Sequence, residues 1–261
     1  MMKSWRVSCP VNNMAELKIA LEHFEYVDIA TYYFKLSLDL GERGSPERII
    51  DVLMPYKDKI SGMHMLNNYM LLGNDGIPLF KQDIKMMSAL GIEIGAFHLR
   101  PPVDIEDLEQ QLQLLRPIVS GTEIKIAIEN LPDSRNNAKG FNWIREPAKI
   151  AEYLETNYSA NFGLCLDTSH AICRGITRWN TQTIRNQVVA MHFSDSRVGK
   201  DEHLPIGPDT KTSILEEIAA IIESCDNDGV IILEQMNLED SLSSIEFLRR
   251  STAAWTKCFR L

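Results

Sequence analysis

The chain is short of basic charge. Its 261 residues carry 27 lysines and arginines against 36 aspartates and glutamates, a formal net charge of −9. Nucleic-acid binders usually leave a basic footprint that meets phosphate, so this balance argues against a nucleic-acid partner. Long apolar runs are also missing. None approaches the roughly 20 residues that span a bilayer, and no membrane role is expected. The opening MMKSWRVSCPV lacks the continuous apolar stretch of a secretory signal. Cysteine is sparse: Cys9, Cys165, Cys173, Cys225 and Cys258 are odd in number and form no CxxC pair. A disulfide miniprotein is thereby excluded, and reduced, core-filling thiols in a cytoplasmic protein are expected. No GxGxxG follows the first strand and no GxxxxGK[ST] occurs anywhere, which removes the sequence signals of a dinucleotide fold and a P-loop. No Pro/Gly/Ser linker or shift in composition divides the chain, so residues 1–261 read as one domain.

What is present is a regular alternation. Short apolar strands are expected at 6–10, 26–31, 60–65, 92–99, 123–130, 162–168, 188–195 and 230–236. Several are near-continuous apolar runs, as in KIAIEN, FGLCLD, VVAMHF and VIILEQ, which suits parallel strands buried on both faces. Between them lie amphipathic patterns: NMAELKIALEHF after an Asn cap, SPERIIDVLMPY with Ser45 as cap and Pro46 at the first helical position, then LFKQDIKMMSALG, VDIEDLEQQLQLL, EPAKIAEYLET, SILEEIAAIIES and SLSSIEFLRRSTAAW. Segment 171–183 has no clear pattern. Strand ends near 129, 167, 192 and 234 fall about 35 residues apart, roughly one βα unit each. The expected fold class is α/β, a single closed (β/α)₈ TIM barrel, ahead of a doubly wound open sheet.

Polar groups stand where the apolar runs stop. IAI ends at Glu129, LCL at Asp167, VAM at His192 and IIL at Glu234. In a barrel that end of the strands builds the active site. A single Glu at a strand end is more often a salt-bridge partner or a helix cap. Four metal-competent groups on successive strands are harder to explain that way, because unpaired carboxylates after apolar residues are costly to bury and one divalent cation compensates several. Three carboxylates and an imidazole favour Mn, Mg or Co, with Zn tolerated. Of the six histidines, His23 reads as helix surface. The others, His64, His98, His170, His192 and His203, lie at or just past strand ends, with Asp201 close by in a loop. Arg100, Arg197 and Lys200 are the candidates to compensate a phosphate. Asn68, Tyr69, Asn130, Trp143, Trp179 and Arg197 are candidates to line the mouth, with packing the commoner role for a tryptophan.

The segments IAIENLP, FGLCLDTSHA, VVAMHFSDSRVGKDEHLPIG and GVIILEQM resemble the successive strand-end motifs of the xylose isomerase-like barrel superfamily, which contains sugar isomerases and epimerases and the type IV AP endonucleases. The resemblance implies one divalent ion (Mn, Mg, Co or Zn) on Glu129, Asp167, His192 and Glu234. The two glutamates would double as acid and base, and His170 would bind substrate. That chemistry needs each glutamate tuned towards neutrality, which a crowded carboxylate site can supply. It also implies a competing ligand set. In the endonuclease branch extra histidines and an aspartate hold further zinc, two or three ions in all, and His64, His98, His170, Asp201 and His203 stand at similar places. Two departures stand out: no long basic or aromatic-rich insert, and no obvious carboxylate after the second strand, in DIATYY. The leading expectation is a metal-dependent sugar or sugar phosphate isomerase or epimerase acting on a small sugar or polyol. A zinc phosphodiesterase acting on abasic DNA and a non-catalytic sugar-binding barrel are the alternatives. Relatives of this kind are often dimers or tetramers, which leaves a homo-oligomer open.

Overall fold

The computed structural model describes residues 5–41, 45–65, 76–99, 104–131, 147–158, 160–176, 178–179, 184–225 and 228–251. Asn68, Tyr69, Arg100, Trp143 and Cys258 lie outside them. The chain order begins with β1 (Trp5–Ser8), β2 (Pro10–Val11), α1 (Met14–His23), β3 (Val27–Ala30), α2 (Thr31–Ser37), α3 (Pro46–Leu53), β4 (Ile60–His64), α4 (Gly76–Leu90), β5 (Ile94–Phe97) and α5 (Ile105–Val119). It continues with β6 (Lys125–Glu129), α6 (Pro147–Asn157), β7 (Phe162–Asp167), α7 (Thr168–Cys173) and β8 (Val188–His192). A hairpin of β9 (Asp195–Arg197) and β10 (Lys200–Leu204) follows, then α8 (Thr212–Ser224), β11 (Gly229–Ile232) and α9 (Leu238–Ser251).

The main sheet runs β1-β11-β8-β7-β6-β5-β4-β3-β2, and each pairing in it is parallel. Its two end strands are halves of one segment on either side of Cys9. The Ser8 carbonyl accepts from the Leu233 N–H at 2.8 Å, and the Cys9 carbonyl accepts from the Asp28 N–H at 2.9 Å. One bent strand therefore joins both edges, and the sheet forms a nearly closed TIM barrel, as the alternation predicts. Closure of this kind leaves little open sheet edge.

All eight expected strands are there, because runs such as IAI and LCL meet apolar groups on both faces. A small cluster of Ile94, Ala96, Ala127, Cys165, Val189, Ala190, Val230 and Ile232 contains no helix residue and fills the inside. The larger core lies between strands and helices, with Leu108, Leu112 and Leu115 of α5 and Ile214, Ile218 and Ile221 of α8 at helical spacing. The predicted caps hold: Asn13 accepts from the N–H groups of Ala15 and Glu16, and Ser45 from Glu47. Trp179 is packed into the core. Cys9, Cys165 and Cys173 are buried free thiols and Cys225 is buried too, and burial pushes Cys165 up to about 12. No helix among the described residues is long and apolar enough to cross a membrane.

Three elements differ from expectation. Thr31–Ser37 is a helix that follows β3 without a break. Thr168–Cys173, within and just before the stretch that showed no periodicity, is a short helix capped by the Asp167 side chain. The loop expected around Asp201 and His203 is the β9–β10 hairpin, which packs against α7. Both helices are under two turns long, too short for a periodic signal to rise above noise.

Candidate metal centre

Glu129 closes β6, Asp167 closes β7, His192 closes β8, and Glu234 stands two residues past β11. The barrel brings one ligating atom of each within 4.8 Å of all the others. His192 Nδ1 lies 2.7 Å from Glu234 Oε2, 3.1 Å from Glu129 Oε2 and 3.7 Å from Asp167 Oδ2. Asp167 and His192 are fully enclosed, Glu129 nearly so, and the Glu234 side chain is 19% exposed.

The donor set fits a divalent cation. Asp167 Oδ2, Glu234 Oε2 and both ring nitrogens of His192 are buried with no well-aligned hydrogen-bond partner. Leaving such atoms unsatisfied costs roughly 1–3 kcal/mol each, and more for charged groups. Three carboxylates around one imidazole also concentrate negative charge in a low-dielectric interior. In the protein alone the histidines answer it. Burial works against ionisation of Glu129, but His98 and His192 hold it well below the usual carboxylate range. Glu234 is likewise buried and held low by His192 and His64. Burial opposes a charge on His192, yet Cys165, Glu234 and Glu129 around it carry it well above the ordinary value. The expected tuning of both glutamates towards neutrality is therefore not what the cluster does. The imidazoles outweigh the crowding of carboxylates. The carboxyl moved towards neutrality is that of Asp167, which burial raises to about 6.

The other histidines extend the cluster on two sides. His98 Nε2 meets Glu129 Oε2 at 2.8 Å, and His64 Nδ1 meets Glu234 Oε1 at 3.3 Å. The His64 ring lies 5.0 Å from that of His98 and 5.1 Å from that of His192. On the other side, His170 Nδ1 is 3.2 Å from Glu129 Oε1, and its Nε2 is 3.3 Å from Asp201 Oδ2. His203 Nε2 is 3.2 Å from Asp201 Oδ1. Partial burial would raise Asp201, but hydrogen bonds from His170 and His203 pull it well below its usual range. Burial lowers His203 while Asp201 and Asp167 raise it, to about 9 in sum. His203 holds φ +45°, a left-handed conformation uncommon outside glycine and sometimes retained at functional sites. Among the described residues five groups able to hold a metal overlap here: His64–His98–Glu129, His64–His192–Glu234, Glu129–Cys165–His192, Asp167–His170–His203 and Glu129–Asp167–His192–Glu234.

A cavity of about 660 Å³ opens onto this cluster, a volume ordinary for a small-molecule site. Its charged wall is His64, His98, Glu129, His170, His203 and Glu234. Tyr32, Tyr33, Met65, Leu79 and Met236 form an apolar wall. Asp167 and His192 do not line it.

Nine of the ten sequence-predicted site residues thus share one cluster. Arg197 does not join it. Its side chain is 66% exposed on β9 and pairs with Glu202 at 3.0 Å, and Lys200 is 3.8 Å from the same carboxylate. Sequence reasoning missed Asp28. It stands in the DIATYY stretch, inside β3 rather than after it, and is completely buried. Burial raises its carboxyl to about 6, with His64 and His192 acting the other way. Gly62 makes room for it, since a Cβ there would stand 2.6 Å from Asp28 Oδ2. A lone Asp inside an apolar VDIA run was the available signal.

Residues 74–251, more than half of the chain, match the family model described as xylose isomerase-like TIM barrel. The chain belongs to that family. Among curated proteins, an uncharacterized protein of Methanocaldococcus jannaschii is 30% identical over 150 residues, which cover 55% of this chain and 49% of that one. The match therefore spans about half the length of this curated relative. Among solved structures, a D-tagatose 3-epimerase-like protein superposes with TM-score 0.71 at 21% identity, over 95% of this chain and 96% of its own. The IolI protein with a bound zinc atom gives 0.63 at 16%, over the whole of both chains. Endonuclease IV from Thermus thermophilus gives 0.62 at 16%, over 97% and 99%. At these identities the superpositions speak for the barrel alone.

Proposed function

We propose that this family member is a divalent-metal-dependent isomerase or epimerase of a small sugar or polyol, with Glu129, Asp167, His192 and Glu234 as ligands. The observation that carries the reading is a division within the quartet. All four converge, but only Glu129 and Glu234 face the cavity, so only they can also touch a substrate. A bound cation supplies Lewis acidity, which makes the C–H beside a carbonyl more acidic. Glu129, held ionised, is the base that removes that proton. Glu234 returns a proton to the opposite face, giving an epimer, or to the adjacent carbon, exchanging aldose and ketose. His64, 3.3 Å from Glu234 and raised by it against its own burial, is the proton source outside the ligand quartet for that return. His98, His170 and His203 bind substrate hydroxyls from the charged wall.

One observation favours a second reading. The five overlapping metal-capable groups offer more ligands than one ion needs, and two or three zinc ions on them would suit phosphodiester hydrolysis, with abasic DNA as substrate. Metal stoichiometry by elemental mass spectrometry, on tag-free protein purified without chelator, separates the two. One ion per chain, with deuterium from D₂O entering a ketose or aldose, is the expected result. Two or three zinc ions, no deuterium incorporation and cleavage of abasic DNA would overturn the isomerase in favour of the nuclease.

A further inference from the structure

The strand ends that carry the candidate ligands are held from the side by residues outside the candidate ligand set, among them Asn130, a candidate to line the mouth that does not line the cavity. Asn130 follows β6 and is buried. Its Oδ1 accepts the Asp167 N–H at 2.7 Å, and its Nδ2 donates to the Asp167 carbonyl at 2.9 Å. Those two bonds imitate a backbone peptide in a sheet ladder. The β6–β7 register ends at Glu129↔Cys165, and beyond it the Asn130 amide supplies one more rung. The Asn130 carbonyl is also 2.8 Å from His170 Nδ1, which aims Nε2 at Asp201. Asp167 Oδ1 accepts the His170 N–H at 2.7 Å, which fixes the rotation of the carboxylate and leaves Oδ2 3.7 Å from His192 Nδ1. Turning the 167 peptide would misdirect both Asp167 and His170.

The same device recurs around the barrel mouth. The His64 N–H donates to Asp28 Oδ1, and its carbonyl accepts from Thr31 Oγ1, both at 3.1 Å. Thr168 Oγ1 donates to the Ser194 carbonyl at 2.5 Å and accepts the Ser194 N–H at 3.0 Å, two residues past His192. Gln235 Nε2 donates to the Phe193 carbonyl at 2.9 Å. Each clamp joins neighbouring strand ends where the ladder gives out.

We infer that Asn130 is a positioning residue of the metal centre, holding Asp167 in ligating orientation and His170 in place beside it, and that Asp28 with Thr31, and Thr168 with Gln235, hold the His64 and His192 strand ends in the same way. This rests on the metal reading above. Residues that orient metal ligands typically cost 10–100-fold in affinity or activity when removed. The test is a titration of the metal-stripped protein with Co²⁺, followed by its visible absorption. Asn130→Ala is expected to weaken Co²⁺ binding by about 10- to 100-fold and to change the band positions and intensities that report ligand geometry. Asn130→Ser, which keeps one hydroxyl for one of the two bonds, is expected to fall between and serves if the alanine variant folds poorly. Leu154→Ala, in the helix layer on α6, is the control. It should lower Tm and leave both the Co²⁺ affinity and the spectrum unchanged. Asn130 variants with wild-type affinity and spectrum would overturn the inference, as would losses equal to those of Leu154→Ala. Wild-type protein that binds no Co²⁺ and no other divalent ion would instead overturn the metal reading, a result visible before any variant is made.

Discussion

Replacing Asp28 by Asn should change how stability depends on pH. The Asp28 carboxyl is enclosed beneath the metal-competent cluster. One oxygen takes the His64 N–H at 3.1 Å, and the other is buried with no hydrogen-bond partner. Burial raises it from 3.8 to about 6. At about 1.4 kcal/mol for each tenfold change in acidity, that displacement corresponds to about 3 kcal/mol. Its sign follows from proton binding. Below 3.8 the folded and unfolded chains both hold the proton. Between 3.8 and 6 the folded chain holds more protons, so raising the pH costs stability. Above 6 both are ionised and the cost stays constant. The substituted asparagine is nearly isosteric, retains an acceptor for the His64 N–H and has no charge to bury. In urea denaturation of chelator-treated protein, the stability of D28N relative to wild type should rise by about 3 kcal/mol from about pH 3.5 to about pH 7. The variant difference cancels the titration of distant groups. Parallel profiles across that range would refute the reasoning, because they would mean that Asp28 ionises as freely in the folded chain as in the unfolded one.

Glu129→Gln and Glu234→Gln, each metal-loaded, should lower turnover by at least about 10²-fold, the usual contribution of a positioned acid or base. Near-normal turnover in a steady-state assay would remove that glutamate from the proton path. Lys35 of α2 and Asp83 of α4 form an enclosed ion pair at 3.8 Å, so Lys35→Met and Asp83→Leu should be coupled by about 0.5–3 kcal/mol, the double change costing less than the two single ones added. A double-mutant cycle from denaturation midpoints measures this, and additive losses would show that the two side chains do not interact.

Much of the barrel was legible in the chain because its strands are buried on both faces. A run such as IAIE or LCLD has to be mostly apolar wherever it lies, so its position and its abrupt polar end appear without any partner in view. The same regularity exposed Glu129, Asp167, His192 and Glu234, since parallel strands put their C-terminal ends on one rim. His64, His98, His170 and His203 were visible as strand-end residues, but their pairing with particular carboxylates was not. Those distances depend on how far each chain continues past its strand, which no local pattern encodes. Asp28 stayed hidden because one polar residue inside an apolar strand has no meaning until the strand's inner face is known.

Local chemistry by itself therefore determined the alternation of strands and helices, the caps at Asn13 and Ser45, and which side chains were available for a metal. Closure through the bent strand around Cys9, the β9–β10 hairpin that carries Asp201 and His203 to His170, and the Asn130 clamp on Asp167 were settled only by folding. So was the pairing of Arg197 with Glu202 in place of the cluster. Each of these is a contact between segments brought together by the sheet, and its free energy depends on burial and geometry that appear only when the barrel shuts.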